Sequence, residues 1–256
     1  MIIDTDKSLR KFMKELDRKK QAFAFDTETT GLRYWDGDRI VGVSFFIPDD
    51  PHQKTSEGEC YYLPFRHKKG KNLDLSAMKQ LSVVFAKPEN VAVGFNTQFD
   101  VNMLGADGVM VNNKVLDVML AAHLANENEE SFGLKQLSDK YVSETSSAQE
   151  DELLGKLKDV KRKADKATGI KLAAKQYIGY LTPEEVAPYA EQDAYLSWRL
   201  LKMYQISLEH QDLLELWIEV NRYSAVVSEM QTNGILIDMF SCKQYSQEAQ
   251  HRRDKI

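Results

Sequence analysis

Apolar positions along the first part of the chain change rhythm several times. Between residues 4 and 19, Leu9, Phe12, Met13 and Leu16 fall three and four apart among charged residues. That spacing puts one apolar stripe on a surface helix. Three apolar, aromatic-rich runs follow, at about 21–27, 39–47 and 60–64, each bounded by turn residues, and these predict buried strands. Asp36-Gly37-Asp38 predicts a hairpin between the first two. The polar stretch 52–58 is a loop before the third, and the three strands make an antiparallel meander. Helical spacing returns at 75–86 with Leu75, Met78, Leu81, Val84 and Phe85, and a short apolar run follows at 91–95. Helices and strands now alternate, so the sheet is mixed and the fold class α/β.

The second half reads as mostly helical. Residues 116–124 predict a largely buried helix, with Asp117 as its cap and His123 packed on it. A short helix follows at 132–141, then a Ser/Thr-rich loop at 143–149 and a charged helical stretch at 151–177. Thr182-Pro183-Glu184-Glu185 has the cap residue, first-position proline and early acids of a helix start. Leu196, Leu200, Leu201 and Tyr204 carry its apolar stripe onward. A further amphipathic helix spans 212–232 and stops at Asn233-Gly234; a short apolar strand to Asp238 and a polar helix at 240–256 complete the chain. This divides the chain into a main unit, 1–210, and a helical segment, 211–256.

Composition narrows the class of protein. Hydrophobic residues make up 43% of 256, enough for a packed core. No apolar run approaches the ~18–20 residues that span a bilayer. The first 20 residues are charged and lack the apolar segment of a signal peptide, which predicts a cytoplasmic location. Cys60 and Cys242 lie far apart, in no metal-binding spacing, as expected in a reducing compartment. A net charge of −5 argues against a protein that coats duplex DNA. Two local basic stretches, 66–71 and 151–175, are either solvated faces or edges that track a phosphate backbone.

Three motifs carry chemistry. In the first, Phe23-Ala24-Phe25-Asp26-Thr27-Glu28-Thr29-Thr30-Gly31-Leu32 runs from a strand into a turn. Asp26 and Glu28, two apart, point to the same side. Held together they repel, and a hard divalent cation such as Mg²⁺ or Mn²⁺ relieves the repulsion. In the second, Asn96 stands where a helix is capped and Asp100 lies in its first turn, where the helix dipole favours an acid. In the third, Tyr189 and Asp193 are four apart, which stacks phenol and carboxylate on one helix face. Each alone has an ordinary structural reading: a strand end, a capped helix, a surface pair.

As a set and in this order, they resemble the motifs of the DEDDy-type 3′–5′ exonucleases, over residues of about 20–205. The stretches Leu116-Asp117-Val118-Met119-Leu120 and Leu134-Lys135-Gln136-Leu137 are similar to the proofreading domain of bacterial and phage family A DNA polymerases. The resemblance implies an RNase H-like (DnaQ-like) fold and hydrolysis assisted by two divalent cations about 3.5–4 Å apart. It implies that Asp26 touches both cations, that Glu28 and Asp193 complete the first site, and that Asp100 holds the second. Tyr189 orients the attacking water with help from Glu28. Thr29 and Leu32 lie against the terminal nucleotide, with Asn96 and Phe99 also on the substrate side. The implied partner is the 3′ end of single-stranded DNA, with the polymerase portion of the same or a longer chain. Residues 211–256 resemble the entry into a polymerase thumb, and the early first motif suggests a phage-like enzyme. The rivals are a ribonuclease D-type exoribonuclease and an exonuclease-like module that binds nucleic acid without cutting it.

Overall fold

A computed structural model describes residues 1–18, 22–53, 57–142, 147–169 and 171–254. The sheet has five strands: β1 (Ala22–Thr29), β2 (Ile40–Pro48), β3 (Gly58–Pro64), β4 (Val91–Gly94) and β5 (Lys114–Asp117). Their order is β3-β2-β1-β4-β5. The first three pair antiparallel, as the hairpin and meander predict. β4 and β5 add in parallel, each reached through a helix. The helices are α1 (Asp6–Arg18), α2 (Leu75–Phe85), α3 (Thr97–Ala106), α4 (Val118–Ala125), α5 (Leu134–Tyr141), α6 (Ala148–Thr168), α7 (Pro183–His210), α8 (Leu214–Asn233) and α9 (Met239–Arg253).

Side-chain parity along β1 decides what the sheet presents to each side. Phe23 and Phe25 enter one core with Phe12, Phe45 and Phe85, beneath α1, α2 and α3. Their rings meet edge-on or tilted, with Phe25 and Phe85 centroids 5.1 Å apart, and each buried phenylalanine is worth about 1.5–3 kcal/mol. Ala24 belongs to the opposite core, where Phe46 meets Trp198, Leu200 and Leu201 of α7. Asp26 and Glu28 share the parity of Ala24, so both acids are on the α7 side. All nine residues of β2 are buried because both sheet faces are covered.

Gly42 of β2 sits opposite Glu28. A methyl group there would meet the Tyr62 hydroxyl at 2.1 Å. Tyr62 is fully buried and bonds His67 Nε2 at 2.7 Å, so it cannot swing away. Gly42→Ala is expected to cost about 1–3 kcal/mol, read as a lower urea midpoint at unchanged slope.

Four expectations are corrected. Residues 116–124 are not one helix: Leu116 and Asp117 end strand β5, and α4 starts at Val118. The strand passes straight into the helix, with no turn residue to mark the change. Asp117 does cap α4, accepting from Met119 N–H at 2.8 Å, while His123 is exposed and stacks flat on Phe132. The charged stretch 151–177 is α6 plus a separate 3₁₀ turn, Ala174–Tyr180. Residues 235–238 form no strand: Ile235 and Leu236 are exposed, and among the described residues no strand lies beside them to pair with. Most of the predicted loop at 143–149 lies outside the described residues.

Candidate active site

The acids meet where β1 faces α7. The β1–β2 register shifts between Glu28 and Thr29, and such a bulge re-aims the neighbouring side chains. α7 opens with Glu185 reaching back to the Thr182 N–H at 2.8 Å, and its buried face carries Tyr189 and Asp193 past the strand end. Asp26, Glu28 and Asp193 each bring a carboxylate oxygen within 4.8 Å of the others. Asp100 is not in that trio. It comes from α3, and Thr27 donates to its Oδ1 through both N–H (3.1 Å) and hydroxyl (2.5 Å). Its charge still reaches Asp26.

The substrate-side residues divide. Thr29 is half-buried, its hydroxyl bonded to the Gly31 carbonyl at 2.8 Å. Leu32 stands in solvent. Phe99 packs partly into the core under α3. Asn96 is not a side-chain cap: it adopts a left-handed conformation, φ 60°, and its side chain makes no capping bond. The Asp117 carboxylate does that work, accepting from Asn96 N–H at 3.0 Å and Thr97 N–H at 2.8 Å. Asp117 also ties this turn to α8, donating its N–H to Asn221 at 2.7 Å and accepting from the Trp217 indole at 3.0 Å.

Two lysines were not singled out by the motifs. Lys135 of α5 pairs with Asp193, both buried, and reaches Gln192 at 3.4 Å. Lys175 donates to the Tyr189 hydroxyl at 2.9 Å and pairs with Glu150 at 2.6 Å. Their ammonium groups lie 4.9 and 5.1 Å from the Tyr189 ring centroid, within cation–π range. Lys135 sits in the Leu-Lys-Gln-Leu stretch, whose resemblance was the available signal. Lys175 is one of many cations in its segment, and nothing in its spacing marks it. Most of its neighbours are a solvated face: Lys156–Glu152, Lys161–Asp165 and Arg162–Asp159 pair along α6. In the other basic stretch, Arg66 pairs with Asp107 at 2.5 Å and His67 is buried against Tyr62 and the Leu181 carbonyl. Both therefore serve the fold.

Burial and mutual repulsion dominate the electrostatics. Burial, then the charges of Asp100, Glu28 and Asp193, holds the Asp26 carboxyl well above its usual range. Burial and then Asp193 push Glu28 up to about 8, against Lys175 and Lys135. Burial raises Asp100 to about 7 despite the Thr27 hydrogen bonds. Asp193 is also raised by burial, with Lys135 opposing. Burial and the neighbouring acids hold the Tyr189 phenol well above its usual range, so at neutral pH it keeps its proton. Two lysines only partly compensate four acids. The donors are hard carboxylate oxygens crowded in a buried place, and they fit a divalent cation.

A mixed five-stranded sheet in this order, flanked by helices, is the RNase H-like exonuclease fold, and its first strand and late helix bring the carboxylates together. The family model for 3′–5′ exonucleases of family A DNA polymerases matches residues 1–209, and the chain belongs to that family. It is 29% identical over 227 residues to DNA polymerase I of Chloroflexus aurantiacus, covering 86% of this chain and 21% of that protein. It is 29% identical over 219 residues to the DNA polymerase DpoZ of Salmonella phage PMBT28, covering 84% and 31%. The chain thus spans about a fifth to a third of these relatives, in which the matching region is part of a larger polypeptide. Among solved structures, the POL domain of Pol1 from M. smegmatis superposes with a TM-score of 0.66 at 16% identity, over 99% of this chain and 36% of that one. Among the described residues no helix is long and apolar enough to cross a membrane.

Proposed function

We propose that this 3′–5′ exonuclease acts on DNA, as the proofreading part of a family A polymerase, and holds two divalent cations, Mg²⁺ or Mn²⁺. The observation that carries the reading is the meeting of Asp26, Glu28 and Asp193 beside Tyr189, whose hydroxyl Lys175 meets at 2.9 Å. Asp26 would contact both cations, Glu28 and Asp193 the first, and Asp100 the second. When bound, such cations activate water and stabilise the leaving alkoxide.

The chain's own groups set the direction of attack. Lys175 donates to the Tyr189 oxygen, so the phenol O–H points into the site, toward the Asp193 carboxylate. Tyr189 then orients the water, and Glu28 accepts a second hydrogen bond from it. Water adds to phosphorus, the bond to the 3′ oxygen breaks, and a nucleoside 5′-monophosphate leaves a strand one residue shorter with a 3′ hydroxyl. Thr29 and the exposed Leu32 lie against the terminal nucleotide, with Asn96 and Phe99 on the substrate side. Residues 1–210 form the exonuclease unit and 211–256 begin a thumb-like segment, with the whole acting in the cytoplasm of a bacterium or an infected host. The exonuclease family match, which ends at residue 209, supports that division.

The test uses 5′-labelled single-stranded DNA and RNA of one sequence, with Mg²⁺ or with EDTA. The expected result is a ladder shortening from the 3′ end of DNA, abolished by EDTA. Faster shortening of RNA would instead favour a ribonuclease D-type activity, and binding without cleavage would favour a silent module.

A further inference from the structure

The loop that continues β1 beyond the acids keeps two large apolar side chains in water. Leu32 is 71% exposed and Trp35 is 70% exposed. Such exposure is costly for an indole, and the loop is not slack. Thr30 and Arg33 bond to the Asp38 carboxylate at 3.1 and 2.8 Å. Arg39 clamps the carbonyls of Tyr34 (3.1 Å) and Asp38 (2.7 Å). A side chain at Gly31 would strike Asp38 at 2.3 Å, so the turn admits little else there. The 3₁₀ turn Tyr34–Asp36 packs against α3, the helix that carries Asp100. Tyr34 is set against the core, and its ring meets Trp35 at 4.9 Å and 86°. A perpendicular contact uses at most one face of the indole. Beside it the Arg33 guanidinium makes an exposed pair with Asp36 at 3.1 Å, a kind of pair that contributes little.

We propose that Trp35 is a stacking platform for a base of the single strand just upstream of the 3′-terminal nucleotide, with Arg33 facing the adjoining phosphate. This rests on the exonuclease reading and extends it to a second nucleotide subsite. The occupant follows from position and chemistry. The loop leaves directly from the strand that holds Asp26 and Glu28, and Trp35 stands exposed on it three residues past Leu32, within reach of a strand whose last nucleotide lies at Leu32. An exposed indole on a rigid support beside a cation suits a nucleobase and its phosphate, and stacking of this kind accepts any base.

The other two tryptophans, Trp198 and Trp217, are buried, so solvent-accessible fluorescence reports on Trp35. Titration of oligo(dT) into the Asp26→Ala protein, which binds without cutting, should quench that fluorescence. One abasic position placed second, third or fourth from the 3′ end should remove most of the quench. Trp35→Leu should abolish it, and in the otherwise wild-type protein should raise KM for single-stranded DNA about five- to hundredfold with little change in kcat. Trp35→Phe should restore most of the affinity. Cleavage of the p-nitrophenyl ester of thymidine 5′-monophosphate, which has no upstream base, should be unchanged in Trp35→Leu. No quenching on binding, or an unchanged KM in Trp35→Leu, would overturn the platform. If the exonuclease reading alone fails, wild-type protein shortens no strand from its 3′ end, and the quenching titration still decides the role of Trp35.

Discussion

Asp26→Ala stops hydrolysis: kcat on single-stranded DNA is expected to fall about a thousandfold or more, because several kcal/mol of charge stabilisation are lost with it. Asp26 is held up by burial and then by its neighbours, Glu28 along the strand and the charges of Asp100 and Asp193. The same substitution relieves repulsion in a buried site, and the metal-free variant should therefore melt at a higher temperature than the wild type. That pairing of lost activity with gained stability separates a catalytic defect from a folding defect. Tyr189→Phe makes a graded contrast. It keeps the buried ring beside Lys135 and Lys175 and loses only the hydroxyl, so a residual rate about a hundredfold below wild type is expected. Single-turnover rates at saturating Mg²⁺ measure both. Full activity in Asp26→Ala would remove the site assignment.

The sequence makes the sheet's first half and the acids legible because both depend on local pattern. Aromatic runs at β1, β2 and β3 announce themselves, and the two-residue period puts Asp26 with Glu28 before any tertiary contact is known. The Tyr189–Asp193 face follows in the same way from helical spacing. What escaped was set by partners distant in sequence. β5 is four residues long and continues into α4 without a turn. Asn96 looks like a cap, yet its αL backbone is held by Asp117, twenty-one residues further on. Lys175, in the 3₁₀ turn after α6, is set apart from the cations of that helix by what the fold brings to it, above all the hydroxyl of Tyr189. Ile235 and Leu236 have the composition of a strand without a strand to pair with, and composition alone cannot distinguish the two cases.

The crowded acids also predict how stability responds to pH and to metal. The folded protein holds Glu28 near 8 and Asp100 near 7, against ordinary values of 4.5 and 3.8. Between those limits the folded state keeps protons that the unfolded state has released, so stability falls as pH rises. The cost is absent below the ordinary values and complete above the folded ones. His67, buried and lowered from 6.5, acts with the opposite sign, but its contribution is complete above pH 6.5. The acids depressed by surface hydrogen bonds, Asp74, Asp165 and Glu129, are already ionised there. From pH 6.5 to 8.5 the acid cluster therefore dominates. In EDTA the protein is expected to lose about 2 kcal/mol across that window, roughly 4–8 °C in Tm. Millimolar Mg²⁺ or Mn²⁺ binds the ionised cluster, so its rescue should be largest at pH 8.5 and small at 6.5. Glu28→Gln removes one titrating group, and should flatten the EDTA profile and weaken the metal response together. Differential scanning calorimetry at matched ionic strength reads all of these. A flat profile in EDTA would mean that the carboxylates turn outward into water in the metal-free protein, and that the convergence of Asp26, Glu28 and Asp193 is not built into the fold.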